Sequence, residues 1–371
     1  MLKIVFTTDG IFPYSVGGIQ RHSRLLIEEL AKRDDIHLSV VHPHKNVNVF
    51  PSYNNIKEIT VDDIDTSKLY ISECFNYSQR VYEAIKDIDC DVVYAQGISI
   101  WYKINNCKNK LIVNPHGLEA YQAISLKDKL IGFPFRLIQN YIFSKARYIA
   151  SEGGLLTKIL IERNPSDKIV FLPNAVNLPQ MEAEHIWNKE KINLLFLARF
   201  ASNKGINILI KAIEELNWEG FENKLTFNLA GKGPLFEYYS TNYKFSNVNY
   251  LGFVADDKLE SLYQDNDLFV LPTLFEGMPT VVLEAMSHKM PVVVSDVGAT
   301  AELVDDTNGY LIKKNNVGAL KKAILSFYHL PAGEKEILSQ KSYQKVKSGF
   351  TWEQVAKKHV ELFEKMISKS F

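Results

Sequence analysis

The chain has 371 residues, 46% of them hydrophobic and 23% charged, which describes an ordinary globular protein and favours two domains over a single core. Its 43 basic residues balance 43 acidic ones, so no overall field favours nucleic acid or an acidic partner. Three cysteines, Cys74, Cys90 and Cys107, form no C-x-x-C and suit a reducing compartment. The opening MLKIVFTTDG reads as a strand rather than a leader peptide, and no run approaches the roughly 18 apolar residues of a membrane span, so a cytoplasmic protein is expected.

Along the chain, short β-branched and aromatic runs alternate with longer helical patterns. Strands are predicted at LKIVFTT, IHLSVVHP, DVVYAQG, LIVNPHG, ARYIAS and IVFLPNAV in the first half. In the second half they are predicted at INLLFLAR, LTFNLAG, VNYLGF, DLFVLPT, PVVVSDV and GYLI. Segments such as GGIQRHSRLLIEELAKR and GINILIKAIEELN repeat apolar residues at i, i+3 and i+4, the period of a helix with one buried face. Strand–helix alternation implies parallel sheets covered on both faces, and two such series imply two doubly wound domains. The polar stretch 177–191 is expected to join them, giving an N-terminal domain over 1–180 and a second over 181–350. A final helix over 351–371 is expected to return toward the first domain, opened by the capping-box spacing of Thr351 and Gln354.

In open α/β sheets ligands gather beyond the carboxyl ends of the strands, so strand ends are where chemistry is sought. Gly17 and Gly18 precede a helix in a loop whose backbone could approach a phosphate. His116 ends the LIVNPHG strand, where an imidazole could hydrogen-bond a sugar or serve structure alone. Arg199, Lys204 and Gly205 surround the loop after INLLFLA, and two cations at a strand–loop–helix mouth suit a diphosphate. Gly231, in LAGKGP, fits a phosphate contact or a plain turn. The stretch LFEGMPTVVLEAMSHKMPVV carries Glu276 in a loop and Glu284 in the following helix, with Pro279 expected at the first helical position. Eight residues of helix span ~12 Å, whereas carboxylates sharing one glycosidic bond stand roughly 5–10 Å apart. The pair therefore brackets an extended ligand, with the amides of Gly277, Met278, Thr280 and Val281 facing an anion between them. Glu284 lies among Val281, Val282, Leu283, Ala285 and Met286, so a carboxylate turned inward there needs a specific partner.

Taken in order, the GG loop, the HG strand end, R-x4-KG at Arg199–Gly205, GKGP and the E-x7-E of Glu276 and Glu284 resemble the GT-B glycosyltransferases, specifically the retaining family 4, along nearly the whole chain. The resemblance implies an α/β fold of two doubly wound Rossmann-like domains facing across a cleft. It implies a UDP- or GDP-linked sugar as donor substrate, no other cofactor and no metal. Glu276 would contact the sugar hydroxyls and Glu284 the ribose. Arg199 and Lys204, with backbone near Gly18, Thr280 and Val281, would neutralise the diphosphate. His116 would lie near the transferred sugar, and the loop around Val254 would contact the base. Transfer would proceed with retention, the leaving phosphate oxygen deprotonating the acceptor, and domain closure would exclude water. Two departures stand out: VGATAE, with Gly298, Ala299 and Glu302, replaces the usual GG-x-x-E, and PNAV places Ala175 where Gly is usual.

The acceptor implied is a glycan or a lipid-linked molecule, as in bacterial surface polysaccharide or glycoconjugate synthesis. Between residues 101 and 150 eight basic residues stand against two acidic ones, and 126–150 mixes Phe, Ile and Leu with them. That segment reads equally as a patch for the anionic inner leaflet of the cytoplasmic membrane and as a helix covering the first sheet. Rival readings are another GT-B enzyme, such as a nucleotide-sugar epimerase or glucan synthase, and a non-catalytic GT-B subunit, the latter disfavoured by the intact Arg199, Lys204, Glu276 and Glu284. A nicotinamide-dependent oxidoreductase fits less well, since no G-x-G-x-x-G follows the first strand.

Overall fold

The computed structural model describes residues 1–122, 126–180, 184–187 and 190–368. The chain divides into two compact units: Met1–Asn174 with Trp352–Phe371, and Ala175–Thr351. The division thus falls ahead of the polar 177–191 stretch, of which 181–183 and 188–189 lie outside the described residues.

Unit 1 runs β1 (Leu2–Thr7), α1 (Gly18–Ala31), β2 (Ile36–His42), β3 (Ile56–Thr60), α2 (Tyr70–Ile85), β4 (Val92–Gln96), β5 (Leu111–Asn114), α3 (Glu119–Gln122), α4 (Leu126–Lys145), β6 (Tyr148–Ser151), α5 (Gly154–Ile161) and β7 (Ile169–Phe171). Its seven strands are all parallel, in the order β3-β2-β1-β4-β5-β6-β7. β1, β4, β5 and β6 are buried along nearly their whole length, as expected of strands covered on both faces. β3 was not expected from its sequence, IKEIT, because Lys57 and Glu58 interrupt the apolar run. It is an edge strand, and Glu58 is used there: its oxygens accept from the amides of Val49 (2.9 Å) and Phe50 (3.0 Å), and Oε2 also meets His42 Nε2 at 3.0 Å.

Unit 2 runs β8 (Ile192–Leu197), α6 (Ile206–Trp218), β9 (Leu225–Ala230), α7 (Phe236–Asn242), β10 (Val248–Gly252), α8 (Asp256–Gln264), β11 (Leu268–Leu271), α9 (Thr280–Ser287), β12 (Val292–Ser295), α10 (Thr300–Leu303), β13 (Gly309–Ile312), α11 (Val317–His329) and α12 (Ala332–Gly349). Six parallel strands follow the order β10-β9-β8-β11-β12-β13. Ahead of β8, Trp187 is buried and its Nε1 donates to Glu336 Oε2 at 2.7 Å, which fixes part of the polar stretch onto α12.

The last helix, α13 (Trp352–Ser368), opens directly after Thr351 and belongs to unit 1. It packs on α1 and buries Val355, His359 and Phe363. Burial holds His359 down at about 4, so the ring is neutral near pH 7. With Nδ1 donating to Val355 O (2.7 Å), Nε2 accepts from Tyr94 Oη (3.0 Å), and that hydroxyl accepts from Asn114 Nδ2 (3.1 Å). α13 is thereby tied to the middle of β4 and the carboxyl end of β5.

Candidate functional site

In unit 2 the strand order reverses between β8 and β11, which splits the loops after them and opens a crevice at their carboxyl ends. Lys204, in the loop after β8, and Glu276, in the loop after β11, meet across that point, with Nζ 2.6 Å from Oε1. Both side chains are largely shielded, at 25% and 11% exposure, so the pair is screened less than a surface ion pair. The two loops are joined by backbone as well. Leu274 N donates to Asn203 O at 2.8 Å, and Thr273 Oγ1 donates to the same carbonyl at 2.9 Å. Gly205 has φ +73°, and a Cβ there would collide with the Pro272 carbonyl, so only glycine lets the loops approach this closely.

The loop after β12 closes the same edge. Gly298 has φ +56°, its missing Cβ leaves room for the carbonyls of Glu276 and Gly277, and Ala299 N donates to Gly277 O at 3.0 Å. The first glycine of the departed GG-x-x-E pattern therefore keeps its structural task, while the second position, Ala299, is fully buried. Gly231, after β9, donates its amide to Gly252 O at 2.6 Å.

α9 begins at Thr280, so Pro279 is the capping residue rather than the first helical one; its φ of −70° and ψ of 116° are extended and lead into the turn. The amides of Thr280 and Val281 have no acceptor among the described residues, as the first turn of a helix dictates. Met278 and Pro279 are buried, and Gly277 is half-buried. Arg199 is exposed and makes no ion pair among the described residues. Val254 is half-buried in the loop between β10 and α8, beside a well-exposed Phe253. Among the described residues no group of three or more His, Cys, Asp or Glu is arranged to hold a metal ion.

The inward partner expected for Glu284 is Tyr263 on α8, whose Oη donates to Glu284 Oε2 at 2.7 Å. Tyr263 is buried, and its ring stacks on His288 with centroids 4.9 Å apart. His288 Nδ1 lies 2.8 Å from the Glu284 carbonyl. Tyr263 had no signal in the sequence, since a tyrosine in a helical pattern is ordinary core.

In unit 1, His116 lies at the end of β5 with φ +55°, a left-handed conformation that His tolerates better than most side chains. Its amide donates to Asn114 Oδ1 at 3.0 Å, which holds the turn. Nδ1 faces Glu152 Oε1 at 3.3 Å, Nε2 bonds Gln96 Oε1, and the His22 ring meets it edge-on at 4.7 Å. Gln96 in turn reaches His22 Nδ1 at 3.2 Å. Burial holds the His22 pKa well below the usual imidazole value. His116 is thus a firmly held, buried group rather than a loose strand-end imidazole. Gly17 caps α1, which begins at Gly18, and a Cβ at Gly18 would meet nothing among the described residues. Gln96, Glu152 and Asp9 escaped the sequence reading, although each ends or follows a predicted strand and the strand-end rule covers them.

A model of the "Glycosyl transferases group 1" matches residues 191–329. Over 85% of each chain, this protein is 27% identical to an uncharacterised glycosyltransferase of Methanocaldococcus jannaschii. It is 23% identical to the O-antigen chain mannosyltransferase B of Escherichia coli, over 95% of this chain and 97% of that one. Among solved structures, sucrose-phosphate synthase from Thermosynechococcus elongatus superposes with a TM-score of 0.81 at 17% identity over the full length of both chains. A lipopolysaccharide outer core galactosyltransferase superposes at 0.71 with 16% identity, again over both full lengths. The fold is GT-B. On these matches the chain is a glycosyltransferase. The matched segment of this glycosyltransferase contains Arg199, Lys204, Gly231, Val254, Glu276 and Glu284, and all but Glu284 lie in loops after strands of unit 2.

Proposed function

We propose that the chain is a retaining glycosyltransferase of the E-x7-E type, family 4, moving a sugar from a UDP- or GDP-linked donor to a glycan or lipid-linked acceptor. The observation that carries this reading is the Lys204–Glu276 pair at the strand reversal of unit 2, beside the open amides of α9. A nucleoside diphosphate sugar needs cationic and amide donors for its phosphates, and acceptors for its sugar and ribose hydroxyls. Arg199, Lys204 and the amides of Thr280 and Val281 supply the first set; Glu276 and Glu284 supply the second. The bond from the sugar's anomeric carbon to the phosphate oxygen breaks while a bond to the acceptor oxygen forms on the same face. The acceptor's proton passes to the departing phosphate oxygen, and the negative charge gathering there is met by the two cations and the helix amides. Donor neutralisation needs no divalent ion in this scheme. The acceptor is assigned to unit 1, where His116 is held at the end of β5.

The test is a thermal-shift screen of UDP- and GDP-sugars followed by hydrolysis and transfer assays, with and without EDTA. One nucleotide sugar should raise the melting temperature, and turnover should persist in EDTA with the anomeric configuration preserved in the product. Inversion, loss of turnover in EDTA, or no response to any nucleotide sugar would each remove the corresponding part of the proposal.

The acceptor class is supported by relatives named for O-antigen and for α-galactosylglucosyldiacylglycerol synthesis, and by the surface of α4. No described helix is long and apolar enough to cross a membrane. α4 buries Gly132, Ile138, Ile142 and Phe143, yet presents a second stripe to solvent: Leu126, Leu130, Phe133, Leu137 and Tyr141, spaced three or four residues apart. Lys127 and Lys129 flank the stripe, and the Arg136 guanidinium lies 5.7 Å from the Phe133 ring centroid. An apolar stripe edged with cations suits peripheral attachment to an anionic leaflet on the cytoplasmic side. The full chain is expected to float with vesicles containing phosphatidylglycerol at low salt and to release at high salt. Leu130→Glu with Leu137→Glu should abolish flotation, because each removes about 1.5–3 kcal/mol of apolar burial and adds a repelled charge. Absence of wild-type flotation would dismiss membrane attachment.

A further inference from the structure

Asp9 stands two residues beyond β1, at the point where the strand order of unit 1 reverses between β1 and β4. The turn carrying it is fixed on every side. Thr8 N donates to Val41 O at 3.1 Å, Thr8 Oγ1 donates to Gly10 O at 2.9 Å, Ile11 N donates to His44 Nε2 at 2.8 Å, and Tyr77 Oη donates to the Thr8 carbonyl. Among the described residues one side chain supports the carboxylate, Gln20 Nε2 donating to Asp9 Oδ1 at 3.1 Å, and the Asp9 backbone amide adds a second hydrogen bond. Gln20 fits there because Gly17 has no side chain, since a Cβ on Gly17 would collide with Gln20 Oε1. The first glycine of the GG loop thus shapes the surroundings of Asp9.

No ion pair compensates this carboxylate among the described residues. The charged groups that act on it are His116 and Asp63, of which Asp63 adds a second negative charge, and Asp9 in turn raises the neighbouring Tyr70, Cys74 and Tyr77. Burial pushes the Asp9 pKa upward, ahead of the opposing hydrogen bond from Gln20. A shielded carboxylate held by the Gln20 amide and its own backbone amide, with no cation of its own among the described residues, keeps acceptor capacity for further donors. The field of Asp9 and Asp63 repels anions and attracts hydrogen donors. Tyr70 is half-exposed, and its ring lies 6.0 Å from Phe135 on α4, the helix with the exposed apolar stripe.

We propose that Asp9 binds a hydroxyl of the acceptor, and that the acceptor is a glycoside or polyol whose apolar group lies along Tyr70 and Phe135. The inference rests on the glycosyl-transfer reading and deepens it by naming the residue that selects the acceptor. A sugar hydroxyl fills the acceptor capacity that Gln20 and the Asp9 amide leave on the carboxylate, and the aromatic pair offers an apolar surface to an aglycone.

The experiment uses the full chain with octyl α-glucoside, α-galactoside and α-mannoside as probes, kept below micelle formation, alongside titrations of UDP and GDP. Wild type should bind at least one octyl glycoside. Asp9→Asn, which keeps the shape and the Gln20 contact, should weaken that binding at least tenfold while UDP or GDP affinity stays within about twofold of wild type. The same variant should melt higher than wild type near pH 7, because a carboxyl with a raised folded-state pKa loses stability as pH climbs through that pKa, and asparagine removes the loss. Tyr70→Ala should weaken the octyl glycoside and leave the methyl glycoside of the same sugar unaffected. Equal octyl-glycoside affinity in Asp9→Asn, or no octyl glycoside bound by wild type, overturns the proposal. If Asp9→Asn does not fold, the carboxyl carbon of Asp9 in wild type decides by NMR: addition of the bound glycoside should lower its pKa, and an unmoved pKa overturns the proposal. Failure of both UDP and GDP to bind wild type would instead remove the glycosyl-transfer reading itself, whatever Asp9 does.

Discussion

Replacing Glu276 by alanine is expected to lower the rate of sugar transfer by about 10²–10³-fold, the usual cost of removing one preorganised polar group from a reacting centre. The expectation rests on where the structure puts this carboxylate. Glu276 is 11% exposed, bonded to Lys204, and held on a loop whose neighbours at Asn203, Pro272 and Gly298 leave little room for movement. The carboxylate and the cation orient each other before any donor arrives, so the cost of ordering them is met in folding. On the proposed reading, a diphosphate held by Lys204 would bring its sugar next to Glu276, whose charge would support the positive character that grows at the anomeric carbon. Glu276→Gln separates shape from charge: it keeps a hydrogen-bonding group of equal size and removes the charge. If charge matters in the transition state, both variants lose kcat with a modest change in KM. If Glu276 only binds the ground state, KM rises and kcat holds. Steady-state kinetics with the donor found by screening, together with UDP and GDP titrations, distinguishes these results. Full kcat in both variants would remove Glu276 from the mechanism.

Much of the fold was legible in the sequence because parallel strands buried on both faces are nearly continuous apolar runs. VVYAQ, LIVN and VVVS cannot be solvent-facing, and each is a fully buried strand. IKEIT was illegible for the opposite reason: as an edge strand it needs little burial, and Glu58 looks like loop chemistry until the amides of Val49 and Phe50 are found on it. Pro279 marked the right turn but not the right position, since an extended ψ is possible for the capping residue and not for the first helical one. At the site, residues on short loops after strands were visible through their spacing and charge. Lys204 and Glu276, 72 residues apart, emerged separately, and the fold brings them to 2.6 Å. Partners contributed by helix interiors or by polar strand ends without a motif were not visible. Tyr263 belongs to an unremarkable helical pattern, and Gln96 and Glu152 show their purpose only when His116 is seen between them. Sequence periodicity reports which face is buried, and it carries nothing about which buried polar group answers another.

That limit bears most directly on Glu284. Its replacement by alanine is expected to weaken UDP or GDP binding by about 10- to 100-fold, the range for a hydrogen bond to a charged group worth about 1.5–3 kcal/mol. The effect should appear in nucleotide affinity and donor KM, with kcat changed much less, because a group that holds the ribose acts equally in ground and transition states. Tyr263→Phe provides the finer test. The ring remains stacked on His288 and fills the same space, so packing survives, while the 2.7 Å bond that holds Glu284 Oε2 is lost. The bond orients Glu284 without touching the donor, so only part of the about 1.5–3 kcal/mol of a hydrogen bond to a charged group reaches the ribose; a loss of about 1 kcal/mol raises donor KM about fivefold, with kcat within about twofold. The double variant decides whether Tyr263 works through Glu284. If it does, Tyr263→Phe adds nothing further once Glu284 is alanine, and the coupling energy equals the single-variant effect of Tyr263→Phe. Additive losses would mean that the tyrosine acts on its own, and an unchanged KM in Tyr263→Phe would mean that helix α9 alone fixes the carboxylate. A fall in kcat for Glu284→Ala with nucleotide affinity intact would place that carboxylate at the reacting sugar and reverse the roles assigned to the two glutamates.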